Sequence, residues 1–184
     1  HLIILAIMGI NPIRYVKKTL EVLIFAFTSR SSAGALPLNV QTQTQRLGVP
    51  EGIANFSASF GLSIGQNGCA GIYPAMLAIM VAPVAHVDID IPFILTLIAV
   101  VVISSFGVAG VGGGATFASI LVLSTLNLPV ALAGVLISIE PIIDMGRTAL
   151  NVNDSILAGT GTAHLTGNLD KEKFNSNHYG ELST

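Results

Sequence analysis

Six polar side chains recur at intervals of one to four residues in the last third of the sequence. They are Glu140, Asp144, Arg147, Thr148, Asn151 and Ser155. At 3.6 residues per turn, these intervals put all six on one face of an α-helix. The early part of this helix is otherwise apolar. The pattern therefore predicts a polar stripe with three charges inside an apolar helix.

A charge at the centre of a bilayer costs ~2.5–3.5 kcal/mol on insertion scales, so these charges must be paired, hydrated or binding something. Two interpretations are open. Asp144 and Arg147 could form an internal ion pair that only fastens helices together. Alternatively, they could bind the ammonium and the carboxylate of a zwitterionic substrate. Thr148, Asn151 and Ser155 favour the second interpretation because short polar groups suit a ligand or a cation.

The composition indicates a membrane protein. The chain is 52% hydrophobic and only 10% charged, whereas soluble domains carry about 25% charged residues. No Asp, Glu, Lys or Arg lies between Glu51 and Asp88 or between Asp90 and Glu140. Runs of this length without charge are typical of segments in lipid. The net charge of -2 comes without a basic patch, so no nucleic-acid partner is expected, and one cysteine excludes an internal disulfide.

Two pairs of short apolar segments surround polar or glycine-rich tips. Leu20–Phe27 and Leu36–Leu47 flank a serine-rich tip, and the same arrangement recurs around the glycine-rich tip Gly107–Ala115. Each segment is shorter than the ~20 residues that a helix needs to cross a bilayer. The sequence therefore predicts two re-entrant helical hairpins.

Between and after the hairpins, the sequence predicts two spanning helices. Gly52–Val84 is long enough to span but is interrupted at Ser63–Cys69, so an unwound middle is expected. Leu128–Gly159 is predicted as the final spanning helix. The predicted fold is thus an all-α membrane protein, a transport core of two hairpins, one broken helix and one final helix. Interrupted segments favour a transporter, although re-entrant loops also occur in channels, so a passive pore remains an alternative.

The distribution of charge predicts the orientation and the boundaries. The residues expected on the cytoplasmic side are Arg14, Lys17, Lys18, Arg46, Lys171 and Lys173. Asp88 and Asp90 fall on the other side. Residues 1–167 are predicted to be a partial transport domain that begins inside an earlier helix. Residues 168–184 are predicted to be a polar, disordered cytoplasmic tail.

Three stretches carry a resemblance to a known family. They are Arg30-Ser31-Ser32 with Leu36-Pro37, Ser105-Phe106-Gly107-Val108-Ala109-Gly110-Val111, and Ile143-Asp144-Met145-Gly146-Arg147-Thr148 with Asn151-Val152. Up to about Gly167 the chain resembles the dicarboxylate/amino acid:cation symporter family, which has the glutamate-transporter fold. Gln41–Arg46 and Gly65–Cys69 are most similar to the bacterial branch that takes up L-cystine.

The resemblance implies a set of substrate-binding residues, namely Arg30, Ser31, Ser32, Ala109, Gly110, Gly112, Asp144, Arg147, Thr148 and Asn151. Asp144 would bind the amino group and Arg147 a distal carboxylate. Thr148, Asn151 and Ser32 would contact the α-carboxylate, and the second tip would act as a gate. The implied protein is no enzyme but a homotrimeric, multi-pass symporter of the cell inner (plasma) membrane, working by elevator-type alternating access. Its scaffold helices would lie outside this chain.

The resemblance also implies a cation-binding set, namely Gly65, Asn67, Cys69, Asn151, Asp154 and Ser155. Here the chain departs from the family, whose broken helix reads Asn-Met-Asp-Gly-Thr where this chain reads Gly65-Gln66-Asn67-Gly68-Cys69. A later cation-binding Asp of the family falls on Ser155, next to Asp154. Hard cations prefer anionic oxygen, so the coupling ion is left open between sodium and a proton on Asp154 or Glu140.

The resemblance implies L-cystine as the substrate, a molecule that carries an amine and a carboxylate at each end. Glu140 is the candidate partner for the distal amine. The alternatives are a glutamate or aspartate:sodium symporter, a passive pore or channel, and a membrane scaffold or sensor that does not transport.

Overall fold

The structure is a computed structural model that describes residues 1–108, 113–131, 133–134 and 138–177. Within these residues every regular element is a helix. The α-helices are α1 (Leu2–Ile7), α2 (Pro12–Ser29), α3 (Leu36–Gln41), α4 (Glu51–Ile64), α5 (Tyr73–Val84), α6 (Ile91–Ser105), α7 (Gly114–Thr125), α8 (Glu140–Leu165) and α9 (Lys171–Asn175). Two π-helical segments, Thr42–Arg46 and Asn67–Ile72, continue α3 and precede α5.

The first predicted tip lies between α2 and α3. Asn11 caps α2, because its side chain accepts a hydrogen bond from the Arg14 backbone N–H, and Pro12 occupies the first turn. The helix ends at Arg30, whose φ of 53° is left-handed. The chain resumes as a helix at Leu36. The serine-rich stretch therefore separates two helical arms, as the sequence predicts.

The predicted interruption of the long apolar helix lies at Gly65 and Gln66. α4 ends at Ile64, and the π-helical segment begins at Asn67. Taken together, Glu51–Val84 is the one helical stretch of the described residues that is long and apolar enough to cross a membrane, with 34 residues and a mean hydropathy of 1.4 over an 18-residue window. α6 and α7 are apolar but shorter, with 15 and 12 residues.

α8 is the centre of the packing. It lies against α2, α4 and the π-helical segment Asn67–Ile72. The approach to α4 is close enough to require glycine, because a Cβ at Gly61 would lie 2.6 Å from the Ser155 Cβ. One apolar core joins α2 to α8 through Tyr15 and Ile156. A second core joins α5 to α7.

Large apolar side chains cover much of the surface. Ile7, Ile91, Ile103, Ile142 and Leu165 are each more than 70% exposed. Apolar surface on this scale marks contact with lipid or with other protein. The helical core described here therefore needs a membrane or further protein around it.

The segment after α8 is held against the base of α2. Lys18 is fully buried, and its Nζ donates to the backbone carbonyls of Arg46 and Lys173 at 2.7 and 2.6 Å. The same ammonium lies 5.9 Å from the centre of the buried Phe174 ring. A disordered tail was expected from residue 168, whereas residues 171–175 form α9, because Leu169 and Phe174 are buried. Residues 178–184 of that tail lie outside the described residues.

Candidate functional site

Two carboxylates and a guanidinium meet on one face of α8. Arg147 Nη2 donates to Glu140 Oε1 at 3.0 Å and to Asp144 Oδ1 at 3.2 Å. Asp144 and Arg147 are 6% and 7% exposed. The spacing of seven and three residues brings them together, because residues three, four and seven apart share a helix face. The internal pair considered from the sequence is thus present, and Glu140 is part of it.

The guanidinium of Arg147 is only partly satisfied by these carboxylates. It stacks on Tyr73 with 4.0 Å between the guanidinium carbon and the ring centre. Its Nε and Nη1 are buried, and no hydrogen-bond partner for them is found among the described residues. Buried donors without partners are costly. Arg147 therefore has N–H bonds at Nε and at Nη1 that could donate to acceptors such as carboxylate oxygens.

The tip after α2 reaches the same centre. The left-handed turn at Arg30 brings its Nε to 3.2 Å from Asp144 Oδ2. Ser32 is buried, and its hydroxyl lies 3.4 Å from Gln66 Oε1. Ser31 is partly exposed, and its hydroxyl accepts the Gly34 N–H within the tip. Arg30 and Ser32 thus belong to the site, while the Ser31 hydroxyl serves the turn.

The interrupted helix contacts α8 through Asn151. Asn151 Oδ1 accepts the Gly68 backbone N–H at 2.7 Å, and its Nδ2 donates to Gln66 Oε1 at 2.9 Å. Nδ2 also lies 3.1 Å from Cys69 Sγ. This approach requires glycine, because a Cβ at Gly68 would lie 3.0 Å from the Arg147 backbone. Thr148, which lies one turn before Asn151 on α8, is also buried.

The residues predicted to bind a cation divide into two groups. Asp154 Oδ2 accepts from Asn67 Nδ2 at 2.9 Å, and Oδ1 lies 2.5 Å from His1 Nε2. Ser155 points elsewhere, because its hydroxyl accepts from Asn39 Nδ2 at 2.7 Å. Neighbours on a helix are about 100° apart, which explains the separation. Of the two adjacent candidates, Asp154 lies beside the interrupted helix and Ser155 faces α3.

Other predicted site residues stand as follows. Gly65 closes against the end of α4, where an added Cβ would meet Gly61 Cα at 2.8 Å. A cavity of about 520 Å³ between α4 and α8 is lined by Gly65, Asn67, Asp154 and Ser155 among others. The predicted second-tip residues Ala109, Gly110 and Gly112 lie outside the described residues.

Sequence reasoning missed three contacts. Tyr73 lies under Arg147, and its position four residues after Cys69 is the signal in the sequence that could have found this contact. Gln66 was noted only as a departure from the family. His1 was taken as part of a cut helix, and nothing local in the sequence indicates its contact with Asp154.

Comparison with known proteins identifies the family. The model of the sodium:dicarboxylate symporter family matches residues 1–165. The chain belongs to the sodium:dicarboxylate symporter family. Its members are membrane transporters and not enzymes, which agrees with the apolar surface of this core.

Three relatives of the chain within the sodium:dicarboxylate symporter family are L-cystine uptake proteins. The chain is 71% identical over 175 residues to the L-cystine uptake protein TcyP of Shouchella clausii. It is 67% identical to the protein of that name from Bacillus licheniformis and 64% identical to that from Bacillus thuringiensis. Each match covers 95% of this chain but only 37 to 38% of the relative. The chain thus spans less than two fifths of the length of these relatives.

Proposed function

We propose that the full-length protein imports L-cystine by cation-coupled symport. One observation carries the proposal, namely the buried Arg147 guanidinium with two unpartnered N–H groups next to the buried Asp144 carboxylate. Opposite charges a few ångströms apart match the carboxylate and ammonium of an amino acid. The 64 to 71% identity to L-cystine uptake proteins supports L-cystine as the amino acid.

In this proposal the residues of the centre divide the substrate between them. Asp144 binds an ammonium group, while Arg147 donates to a carboxylate through Nη1. Asn151 and Thr148 contact the α-carboxylate together with Ser32. Glu140 is the partner for the amine at the distal end of cystine. Glu140 lies one turn before Asp144 on the same face of α8, so it is displaced from Asp144 along the helix axis.

The proposed architecture is a partial transport core over residues 1–167. The helical arms on either side of Arg30–Ala35 support a re-entrant first hairpin, because the 18 residues of α2 include the charged Arg14, Lys17, Lys18 and Glu21, and α3 has only six residues. The second hairpin, gated by Ala109, Gly110 and Gly112, rests on α6 and α7, which are also short. The scaffold against which this core moves, and the homotrimer in the inner membrane, belong to the remainder of the full-length protein.

The coupling cation is proposed to bind near the interrupted helix. Asn67, Asp154 and the backbone around Gly65 supply oxygen ligands there, with Cys69 and Asn151 on the substrate side and Ser155 facing α3. Sodium is the ion for which the family is named. A proton is the alternative, because Asn67 and Ser155 are neutral where the family has carboxylates.

Uptake of labelled L-cystine into proteoliposomes of the full-length protein tests this proposal. We expect concentrative uptake driven by a sodium gradient or a proton gradient, each applied alone, and no uptake by Arg147→Ala. Lys17→Ala is the matched control, because Lys17 is an exposed cation far from this centre. Concentrative uptake by Arg147→Ala at the wild-type rate would refute the role of the guanidinium. Uptake that only equilibrates, even with a gradient, would indicate a passive pore.

A glutamate or aspartate symporter is the second candidate, favoured by the dicarboxylate in the family's description and by Arg30 as an additional cation beside Asp144. Competition separates the two substrates. Under the first proposal, labelled cystine is taken up and excess aspartate leaves this uptake unchanged. Under the second, labelled aspartate is taken up and excess cystine leaves that uptake unchanged.

A further inference from the structure

Gln66 is a buried amide at the point where the interrupted helix is not helical. Its side chain is 3% exposed and makes contacts with three other parts of the chain. Nε2 donates to the Gly61 carbonyl at 2.9 Å, at the end of α4. Oε1 accepts from Asn151 on α8 and lies within reach of the Ser32 hydroxyl at the first tip. One side chain thus joins Asn151 and Ser32, two of the three residues predicted to contact the α-carboxylate, to the broken helix.

Two backbone groups fix the direction of both amides. The Gly68 N–H can only donate, so Asn151 must present Oδ1 to it and turn Nδ2 toward Gln66. The Gly61 carbonyl can only accept, so Gln66 must present Nε2 to it and turn Oε1 toward Asn151. The two assignments agree at the 2.9 Å contact between the side chains. The network has a single consistent orientation.

Gln66 Oε1 contacts two donors that are proposed to bind the substrate carboxylate, namely the Asn151 amide and the Ser32 hydroxyl. Asn151 has two N–H bonds, of which one goes to Gln66 Oε1 and the other points to the sulfur of Cys69, a weak acceptor. The second N–H is therefore the one that a substrate carboxylate takes over. The hydroxyl of Ser32 has one proton, and its 3.4 Å contact with Gln66 is long and easily exchanged for a carboxylate.

We propose that Gln66 is a positioning residue for substrate, which holds the Asn151 amide with one N–H toward the carboxylate and keeps Ser32 nearby until substrate arrives. The inference rests on the proposed amino-acid transport and adds a specificity determinant that acts through Asn151. Without the Gln66 oxygen, Asn151 keeps its bond to Gly68 and its weak contact with Cys69 Sγ, and its amide is less firmly held. Substrate then pays to order the amide on binding.

A double-mutant cycle on the full-length protein in detergent tests the inference, with L-cystine affinity as the readout. Gln66→Met keeps the length of the side chain and removes both hydrogen-bonding ends. We expect Gln66→Met to weaken cystine binding about tenfold. Because Gln66 acts through Asn151, adding Gln66→Met to Asn151→Ala should weaken binding by less than about twofold more. Gln45→Met, at an exposed glutamine, is the control and should bind like wild type.

Two outcomes overturn the inference. One is wild-type affinity in Gln66→Met, and the other is multiplication of the two effects in the double variant. If Gln66→Met does not accumulate, Gln66→Leu takes its place, because it also removes the oxygen that accepts from Asn151. It should also weaken binding about tenfold, and wild-type affinity there would equally overturn the inference.

Failure of the proposed function would be visible separately. If the wild-type protein binds no cystine, the proposed function fails, and the cycle is read from melting temperatures without ligand. The loss in the double variant should then be smaller than the sum of the single losses, because both substitutions break one contact. An additive loss would show that Gln66 and Asn151 are not coupled.

Discussion

Substitution of Gly61 by alanine measures how closely α4 and α8 must approach. The new Cβ would lie 2.6 Å from the Ser155 Cβ and 3.5 Å from its Cα. Carbon atoms prefer separations of about 3.5–4.0 Å, so the helices must move apart by about 1 Å or more. Overpacking of this kind costs about 1–3 kcal/mol. Ser155 lies at the contact, so its 2.7 Å hydrogen bond from Asn39 lengthens as well.

Gly52→Ala is the matched control because it lies on the same helix with nothing within 4 Å of the added Cβ. Both variants gain helix propensity, up to about 1 kcal/mol, so their difference isolates the steric term. At about 2–4 °C per kcal/mol, Gly61→Ala should melt about 2–12 °C below Gly52→Ala. The assay is thermal unfolding of the purified full-length protein in detergent. Equal melting temperatures would refute the close packing of α4 on α8.

Three further results are expected. Lys18→Met removes the ammonium that donates to the Arg46 and Lys173 carbonyls, so it should lower stability by about 1–3 kcal/mol and speed hydrogen exchange in α9, whereas the exposed Lys17→Met should do neither. Tyr73→Phe keeps the ring under Arg147 and should bind cystine normally, whereas Tyr73→Leu loses a cation–π contact of about 2 kcal/mol and should bind more than tenfold more weakly in a titration. Asp154→Asn should abolish the dependence of uptake on the cation gradient, and unchanged dependence would remove Asp154 from the cation site.

The polar face of α8 was predictable because periodicity is a local property. Asp144, Arg147, Thr148, Asn151 and Ser155 are all buried, as expected of a stripe turned away from the surface. The interruption after Ile64 was predictable for a similar reason, since two glycines near each other disfavour a continuous helix.

The partners across the chain were not predictable from spacing. Gln66 and Asn151 are 85 residues apart, and their contact depends on the approach that Gly61 and Gly68 permit. The choice between Asp154 and Ser155 depends on a rotation of about 100°, which the sequence pattern does not specify. A polar composition also predicts disorder after residue 168, although residues 171–175 form a helical turn in which Phe174 is buried.

The anchoring of Lys18 has a consequence for biosynthesis. One of the two carbonyls that accept from its ammonium belongs to Lys173, which leaves the ribosome 155 residues later. Until then the ammonium has half of its final coordination, and full burial of a charge in that state is costly. The base of α2 must therefore stay at the hydrated interface during translation and settle only after α9 has emerged. A chain terminated before Lys173 would lack the Lys173 carbonyl and could not complete the burial of Lys18. We expect such a chain to be degraded by membrane quality control and not to accumulate as a slightly shorter transporter.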